Sequence, residues 1–128
     1  MDKINYRIKN VSVSTNGRNE IYFDVEWEGN DNSEYLELRL WEDGKESCLE
    51  VYAYPSSCQR IAVKEFAFLK NWRNKEVNRQ TIYVELGVAE YSNDGHLEKW
   101  ESLACYEPVK LNIYYESHLF RKNVIELR

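Results

Sequence analysis

Apolar and polar residues alternate along most of this chain, and that period of two constrains the fold more than any other feature. Successive side chains on a β-strand point to opposite faces of a sheet. In the clearest segment one face is apolar and the other mainly acidic: Ile21, Phe23, Val25 and Trp27 against Tyr22, Asp24, Glu26 and Glu28. This segment is predicted to be a half-buried strand with Trp27 in the core.

The same alternation predicts further strands around residues 4–13, 36–40, 49–53, 61–63, 82–88, 100–103 and 109–115. A parity shift predicts a bulge near Lys9 and Asn10. Turns are expected at residues 14–17 and 93–95, and Pro108 should interrupt a strand. An irregular or helical crossover is expected up to residue 72. We therefore predict an all-β fold, an antiparallel β-sandwich of about seven strands.

Asp43 and Gly44 form the strongest short-range hairpin signal of the chain. A two-residue turn there would place the aliphatic residues of both strands on one face. The predicted partners are Leu36 with Val51, Leu38 with Leu49, Tyr35 with Tyr52, Glu37 with Glu50, Arg39 with Cys48 and Trp41 with Glu46. Aromatic and charged side chains would then share the face opposite the core.

Three segments together resemble a fibronectin type III domain, one of the immunoglobulin-like folds. Phe23, Val25 and Trp27 resemble its second strand, residues 36–40 its third, and residues 82–108 its last hairpin. The resemblance covers roughly residues 4–113. It implies a two-sheet sandwich in which residues 47–54 form a sheet edge that is open to a partner strand.

The length and composition of the chain fit one domain over residues 1–128, with a C-terminal extension at residues 116–128. Phe120, Val124 and Leu127 have helical spacing there, which predicts a short amphipathic helix. No segment has the apolar length of a membrane span, and the first residues do not resemble a secretory signal. A cytoplasmic protein is expected.

Histidine, the commonest catalytic acid or base, is sparse in this chain. The only histidines are His96 and His118, in a turn and in the extension, and no nucleophile pattern accompanies them. Cys48, Cys58 and Cys105 have no metal-ligand spacing, so free thiols are expected, with a Cys48–Cys58 bridge as the alternative. The polar loop at residues 30–34 lacks the spacing of an EF-hand. We expect no enzyme activity, no cofactor and no metal.

Charge is unevenly distributed, since residues 20–50 contain eleven carboxylates against Arg39 and Lys45. This balance argues against nucleic-acid binding, which requires a basic face. An acidic second strand would instead favour a protein partner with a basic surface.

A set of residues on the predicted hairpin forms the candidate binding site: Tyr35, Arg39, Trp41, Tyr52 and Tyr54. Exposed aromatic side chains are typical of interaction surfaces. The extension is an alternative cover for them. These patterns favour a protein-interaction module, namely an accessory, inhibitor, immunity-type or assembly protein, which binds another protein or a second copy through the edge strand. A small-ligand or carbohydrate-binding module is the alternative.

Overall fold

The structure is a computed structural model that describes residues 6–29, 35–42, 48–64, 77–116 and 124–127. All regular elements in these ranges are strands: β1 (Arg7–Thr15), β2 (Glu20–Glu28), β3 (Leu36–Trp41), β4 (Cys48–Ala53), β5 (Cys58–Lys64), β6 (Val77–Tyr91), β7 (Leu97–Cys105), β8 (Val109–Glu116) and β9 (Val124–Leu127). Every pairing is antiparallel. The predicted all-β class is therefore confirmed.

The strands form two sheets. One has the order β1-β2-β5, and the other has the order β4-β3-β6-β8-β9 with β7 also paired to β6. The long strand β6 uses the same side twice, since its first half pairs with β8 and its second half with β7. The described residues form nine strands where about seven were expected, and the strand at the end of the chain, β9, was not predicted.

Both sheets contribute apolar side chains to one buried cluster. Its members are Ile8, Ile21, Phe23, Val25, Leu36, Leu38, Leu40, Ile61, Val63, Ile82, Val84, Leu86, Leu111 and Ile113. They fall at alternate positions of their strands, as a sheet with one buried face requires. The predicted facing of β2, β3 and β6 is confirmed.

The predicted irregularities at the start of the chain are also confirmed. The register of β1 on β2 shifts between Ile8 and Asn10, which is the expected bulge. In the turn between β1 and β2, Asn16 Oδ1 accepts hydrogen bonds from the backbone amides of Arg18, Asn19 and Glu20. Gly17 has a φ of 79°, a left-handed conformation that glycine adopts without strain. The asparagine and the glycine thus specify this turn locally.

Trp27 differs from its predicted place in the core. It is only partly buried and packs at the margin of the apolar cluster, stacked on Tyr6 with 6.4 Å between ring centroids. Its Nε1 donates to the Ser56 carbonyl at 2.7 Å, and its amide donates to the Ser57 carbonyl at 2.9 Å. A buried indole N–H usually has a hydrogen-bond partner. The hydrogen bond to Ser56 therefore holds the Trp27 ring at the end of β2, against the turn before β5.

The helix predicted in the C-terminal extension is wrong for residues 124–127, and Phe120 lies outside the described residues. Val124–Leu127 is strand β9, which pairs with β8, and Leu127 packs against the core. A short isolated helix is marginal in water, whereas the edge of β8 supplies hydrogen-bond partners for extended β-branched residues. Of the predicted crossover, the strand portion is confirmed within β5, and residues 65–76 lie outside the described residues.

Candidate functional site

The hairpin of β3 and β4 carries the predicted binding residues, but its register is not the predicted one. Leu38 lies opposite Tyr52, where Leu49 was expected, and Leu40 lies opposite Glu50. The difference of three residues is odd, so the side chains of β4 exchange faces. The register also shifts between Leu40 and Trp41. A connection longer than two residues explains the error, and Asp43 and Gly44 themselves lie outside the described residues.

This register changes the neighbours of the charged residues. Glu37 lies opposite Ala53, and Arg39 lies opposite Val51. The predicted pairs of Glu37 with Glu50, Arg39 with Cys48, Trp41 with Glu46 and Tyr35 with Tyr52 are therefore wrong, as are the two aliphatic pairs. No like charges face each other here. Val51 and Ala53 are exposed on β4 instead of joining the core.

Arg39 is held inside the fold by a buried ion pair. Its Nη2 and Nε donate to the same oxygen of Glu37, Oε1, at 2.8 and 3.1 Å, and the two residues are only 7% and 4% exposed. The guanidinium carbon lies 4.1 Å from the ring centroid of Trp100 and 5.7 Å from that of Trp41. Arg39 therefore stabilises this face of the sheet and offers little to a partner.

Glu85 and Trp100 complete this arrangement, which we call the Arg39 cluster (Glu37, Arg39, Glu85, Tyr91 and Trp100). Glu85 is buried and accepts hydrogen bonds from Trp100 Nε1 at 2.8 Å and from the Cys105 thiol at 3.1 Å. Trp100 lies directly over Gly87, where an added Cβ would come within 2.5 Å of the ring. The glycine inside a strand was the signal that sequence reasoning overlooked, since it marks a close approach.

Tyr91 closes the Arg39 cluster on its outer side. Its hydroxyl donates to Glu37 Oε2, while Arg39 occupies the other oxygen of that carboxylate. This hydrogen bond, together with burial, raises the pKa of Tyr91 above its usual 10.0. Both oxygens of Glu37 are thus occupied, as a buried carboxylate requires.

The aromatic residues of the predicted binding site differ in their exposure to solvent. Tyr35, Tyr52 and Tyr54 are 48%, 40% and 67% exposed, and they lie on or beside β4 and the start of β3. Trp41 is only partly buried, but its Nε1 is buried and has no hydrogen-bond partner among the described residues. The structure thus leaves the three tyrosines at the surface and places Arg39 and Trp41 within the fold.

Strand β4 is the last strand of its sheet, as the resemblance implied. The amide of Tyr54 donates to the Leu36 carbonyl at 2.9 Å. Antiparallel strands alternate between residues bonded to the neighbour and residues whose amide and carbonyl point away. Tyr52 is therefore bonded to β3, whereas the main-chain groups of Val51 and Ala53 point to the open side. The edge offers two N–H and two C=O groups.

The acidic face of β2 is matched by cations from the strands on either side. The pairs are Arg7 with Glu28 at 3.2 Å, Lys9 with Glu26 at 3.3 Å, Arg60 with Asp24 at 2.7 Å and Lys64 with Glu20 at 3.6 Å. Four carboxylates thus meet four cations, so this face has no excess of negative charge among these residues. The reason for expecting a basic partner at β2 is correspondingly weakened.

A shallow depression of about 340 Å³ lies on the same face, lined by residues that include Asn10, Ser12, Asp24, Gln59 and Arg60. Arg60 Nε and Nη2 donate to the two oxygens of Asp24 at 2.7 and 3.0 Å. This pair lowers the pKa of Asp24, since the hydrogen bond favours the carboxylate. Asp24 and Arg60 are therefore engaged with each other, and Glu26, which also lines the depression, pairs with Lys9.

The other residues considered for chemistry are dispersed. His96 is exposed in the turn before β7, while His118 and residues 30–34 lie outside the described residues. Cys48, Cys58 and Cys105 are not joined by disulfides, and desolvation raises the pKa of Cys48. No group of histidine, cysteine and carboxylate side chains suited to a metal ion occurs in the described part of the chain.

Comparisons with protein-family models, with curated proteins and with solved structures found no match to this chain. No described helix has the length and apolar character needed to cross a membrane. What defines the protein is therefore its own geometry: two antiparallel sheets, a buried charged cluster on the outer face of one of them, and an open aromatic edge.

Proposed function

We propose that this chain is a non-catalytic protein-interaction module with a fibronectin type III-like sandwich fold. It acts as an accessory, inhibitor, immunity-type or assembly protein, and its partner binds along β4 beside Tyr35, Tyr52 and Tyr54. The observation that carries the proposal is the open edge of β4, where main-chain groups and exposed aromatic side chains coincide.

The grouping of the strands supports the fold assignment. Immunoglobulin-like sandwiches place their first, second and fifth strands in one sheet, and their third, sixth and seventh in the other. Strands β1, β2 and β5 form one sheet here, and β3, β6 and β7 belong to the other. Strand β4 departs from the constant-type pattern, because it pairs with β3 instead of joining the sheet of the first, second and fifth strands, and β9 extends the sheet beyond seven strands.

The composition of β4 supports the site. Natural edge strands are commonly protected by lysine, proline or a strong twist, because an open edge is a template for another strand. The sequence of β4, Cys48–Ala53, contains neither lysine nor proline, and its single charge is Glu50. Val51 and Tyr52 are each 40% exposed on it. Such an edge fits strand addition, in which main-chain hydrogen bonds supply the affinity.

The alternative, a small-ligand or carbohydrate-binding module, has weaker support. A sugar platform needs uncovered aromatic rings, and Trp41, the largest ring of the predicted set, lies beside Arg39 with its Nε1 buried. Neighbouring β-strand residues also point to opposite faces, so the exposed side chains of Val51 and Tyr52 do not form one continuous surface for a ligand.

A proline substitution at Val51 tests the proposal. Proline there removes an amide that points to the open side, so the pairing of β4 with β3 is retained. Immobilised wild-type protein and Val51→Pro would be used to capture partners, the chain itself included, from a lysate of the native host. We expect Val51→Pro and Tyr52→Ala to lose proteins that the wild type retains.

Val13→Pro is the control for the other edge, and because Val13 packs against the core, thermal unfolding must show that this variant is folded. The amide of Asn16 donates to the Glu20 carbonyl at 3.2 Å, so by alternation the main-chain groups of Val13 point to the open side of β1, at the edge of the other sheet. This variant should retain the captured proteins. Equal capture by the wild type, Val51→Pro and Tyr52→Ala would contradict an interaction through β4.

A further inference from the structure

Resting on the proposed function, we propose that the strand that pairs with β4 is β4 of a second copy of this chain. The two strands run antiparallel about a two-fold axis at Tyr52. The observation behind this inference is that the open edge is complementary to itself in hydrogen bonding, in side-chain character and in charge.

The hydrogen-bonding groups match first. The outward groups belong to Val51 and Ala53, on either side of Tyr52. With the axis at Tyr52, Val51 of one copy lies opposite Ala53 of the other, and the reverse pair follows by symmetry. Hydrogen-bonded antiparallel pairs exchange both of their N–H···O bonds. All four outward groups of each copy are therefore satisfied.

The side chains match in the same register. Tyr52 lies opposite Tyr52 of the second copy in a non-hydrogen-bonded pair, the closer type, and aromatic cross-strand pairs are stabilising. On the other face, Val51 lies opposite Ala53, so both pairs there are apolar. These exposed side chains would be covered by the second copy.

Charge favours this register as well. Glu50 is the only charged residue of β4, and in this register it lies opposite Tyr54 of the second copy. The two Glu50 residues are then separated by four residues along the strands, about 13 Å. Like charges directly opposite each other, which destabilise a sheet, do not occur.

The ends of β4 limit the contact to one dimer. Tyr54 has a φ of 54°, outside the extended range, and is followed by buried Pro55, so the ladder cannot continue past Ala53. A two-fold contact uses the same surface on both copies and is closed, so it does not propagate into fibres. A contact limited to residues 51–53 of each copy is small and belongs to the weak class of interfaces, which dissociate on dilution.

Sedimentation equilibrium of the purified chain tests the inference. Over a range of about 10 μM to about 1 mM, the wild type and Val13→Pro should shift from monomer to dimer. Val51→Pro should raise the dissociation constant by about tenfold or more, because a hydrogen bond is lost on each side of the axis. Thermal unfolding of each variant reports whether it is folded.

A wild type that remains monomeric to the highest concentration would overturn the inference. A dimer that Val51→Pro leaves intact would also overturn it, since the contact would lie elsewhere. If the wild type is monomeric and Val51→Pro still loses a captured protein, the strand belongs to a different partner: the proposed function stands and the second copy fails. If Val51→Pro changes neither capture nor self-association, both fail.

A disulfide test fixes the register without relying on proline. In a background with Cys48, Cys58 and Cys105 replaced by serine, Tyr52→Cys should form a cross-linked dimer on mild oxidation. Non-hydrogen-bonded antiparallel pairs have Cα atoms about 4.5 Å apart, within the range for a disulfide. Glu50→Cys is the control, and it should remain monomeric. Cross-linking of Glu50→Cys and not of Tyr52→Cys would overturn the proposed axis.

Discussion

At the scale of single residues, the strongest constraint outside the core is the burial of Arg39 with two carboxylates. The guanidinium donates to Glu37 and lies over the Trp100 ring, which itself donates to Glu85. A buried charge is costly unless it is paired and hydrogen-bonded, so each member depends on the others. The Arg39 cluster should accordingly behave as one unit under mutation.

Arg39→Ala should lower the free energy of unfolding by about 3–5 kcal/mol, because it leaves Glu37 buried without its cation. Urea denaturation at neutral pH measures this loss. Arg60→Ala is the control, since it breaks an ion pair that also has two hydrogen bonds but is exposed on the other sheet, and it should cost far less. If Arg39→Ala and Arg60→Ala lowered the free energy of unfolding by similar amounts, burial would not make the Arg39–Glu37 pair more important for stability than the Arg60–Asp24 pair.

Tyr91→Phe tests the hydroxyl that Glu37 accepts from. At neutral pH the variant should be less stable than the wild type by about 1 kcal/mol. Because the pKa of Tyr91 is raised in the folded state, its hydrogen bond contributes fully below the usual value of 10.0 and is lost as the pH rises through the higher folded value. The difference in unfolding free energy should therefore shrink at strongly alkaline pH. A difference that is constant from pH 7 upward would exclude this hydrogen bond as its cause.

At the scale of elements, the two outer edges of the larger sheet differ in what they do. At one end of the strand order, no strand of the described residues pairs with the outer side of β4, and at the other end β9 covers β8. The described end of the C-terminal extension is thus on the far side of the sheet from Tyr52. This placement favours a partner, rather than the extension, as the cover of the edge aromatic residues.

Deletion of residues 117–128 should lower the free energy of unfolding by about 1–3 kcal/mol, since β9 and the packing of Leu127 are lost. The cost of Tyr52→Ala should be the same in the full-length and the shortened chain, because distant sites are additive. Denaturation of the four proteins of this cycle measures both quantities. A coupling clearly above about 0.5 kcal/mol would mean that the extension reaches the edge after all.

The arrangement of the strands also explains why local composition overestimates the negative charge of the β2 surface. Its carboxylates are paired with cations of β1 and β5, among them Lys9 with Glu26 and Arg60 with Asp24. Strand β5 lies far along the sequence from β2 and is brought beside it only by the antiparallel ladder. Exposed pairs of this kind contribute little to stability, but they cancel the field that a basic partner would experience.

At the scale of the whole molecule, the features that depend on neighbouring residues follow from the amino-acid sequence alone. The alternation of β2, β3 and β6, the bulge after Ile8, the turns at Asn16 and Gly95 and the break around Pro108 are all as predicted. Each follows from backbone preferences or from the period of the side chains within one segment. The all-β class follows from the sum of these local signals.

The features that depend on how distant segments meet are visible only in the folded chain. The register of β3 on β4 was missed by an odd number of residues, which moved Val51 to the outer face and Tyr52 to the inner one. The burial of Arg39, the role of Trp100 and the strand at the end of the chain were missed for the same reason. A residue's alternation specifies its face within one strand, but its partner depends on which strand lies opposite and in which register. That choice is made by packing and by the pairing of buried charge over the whole sheet.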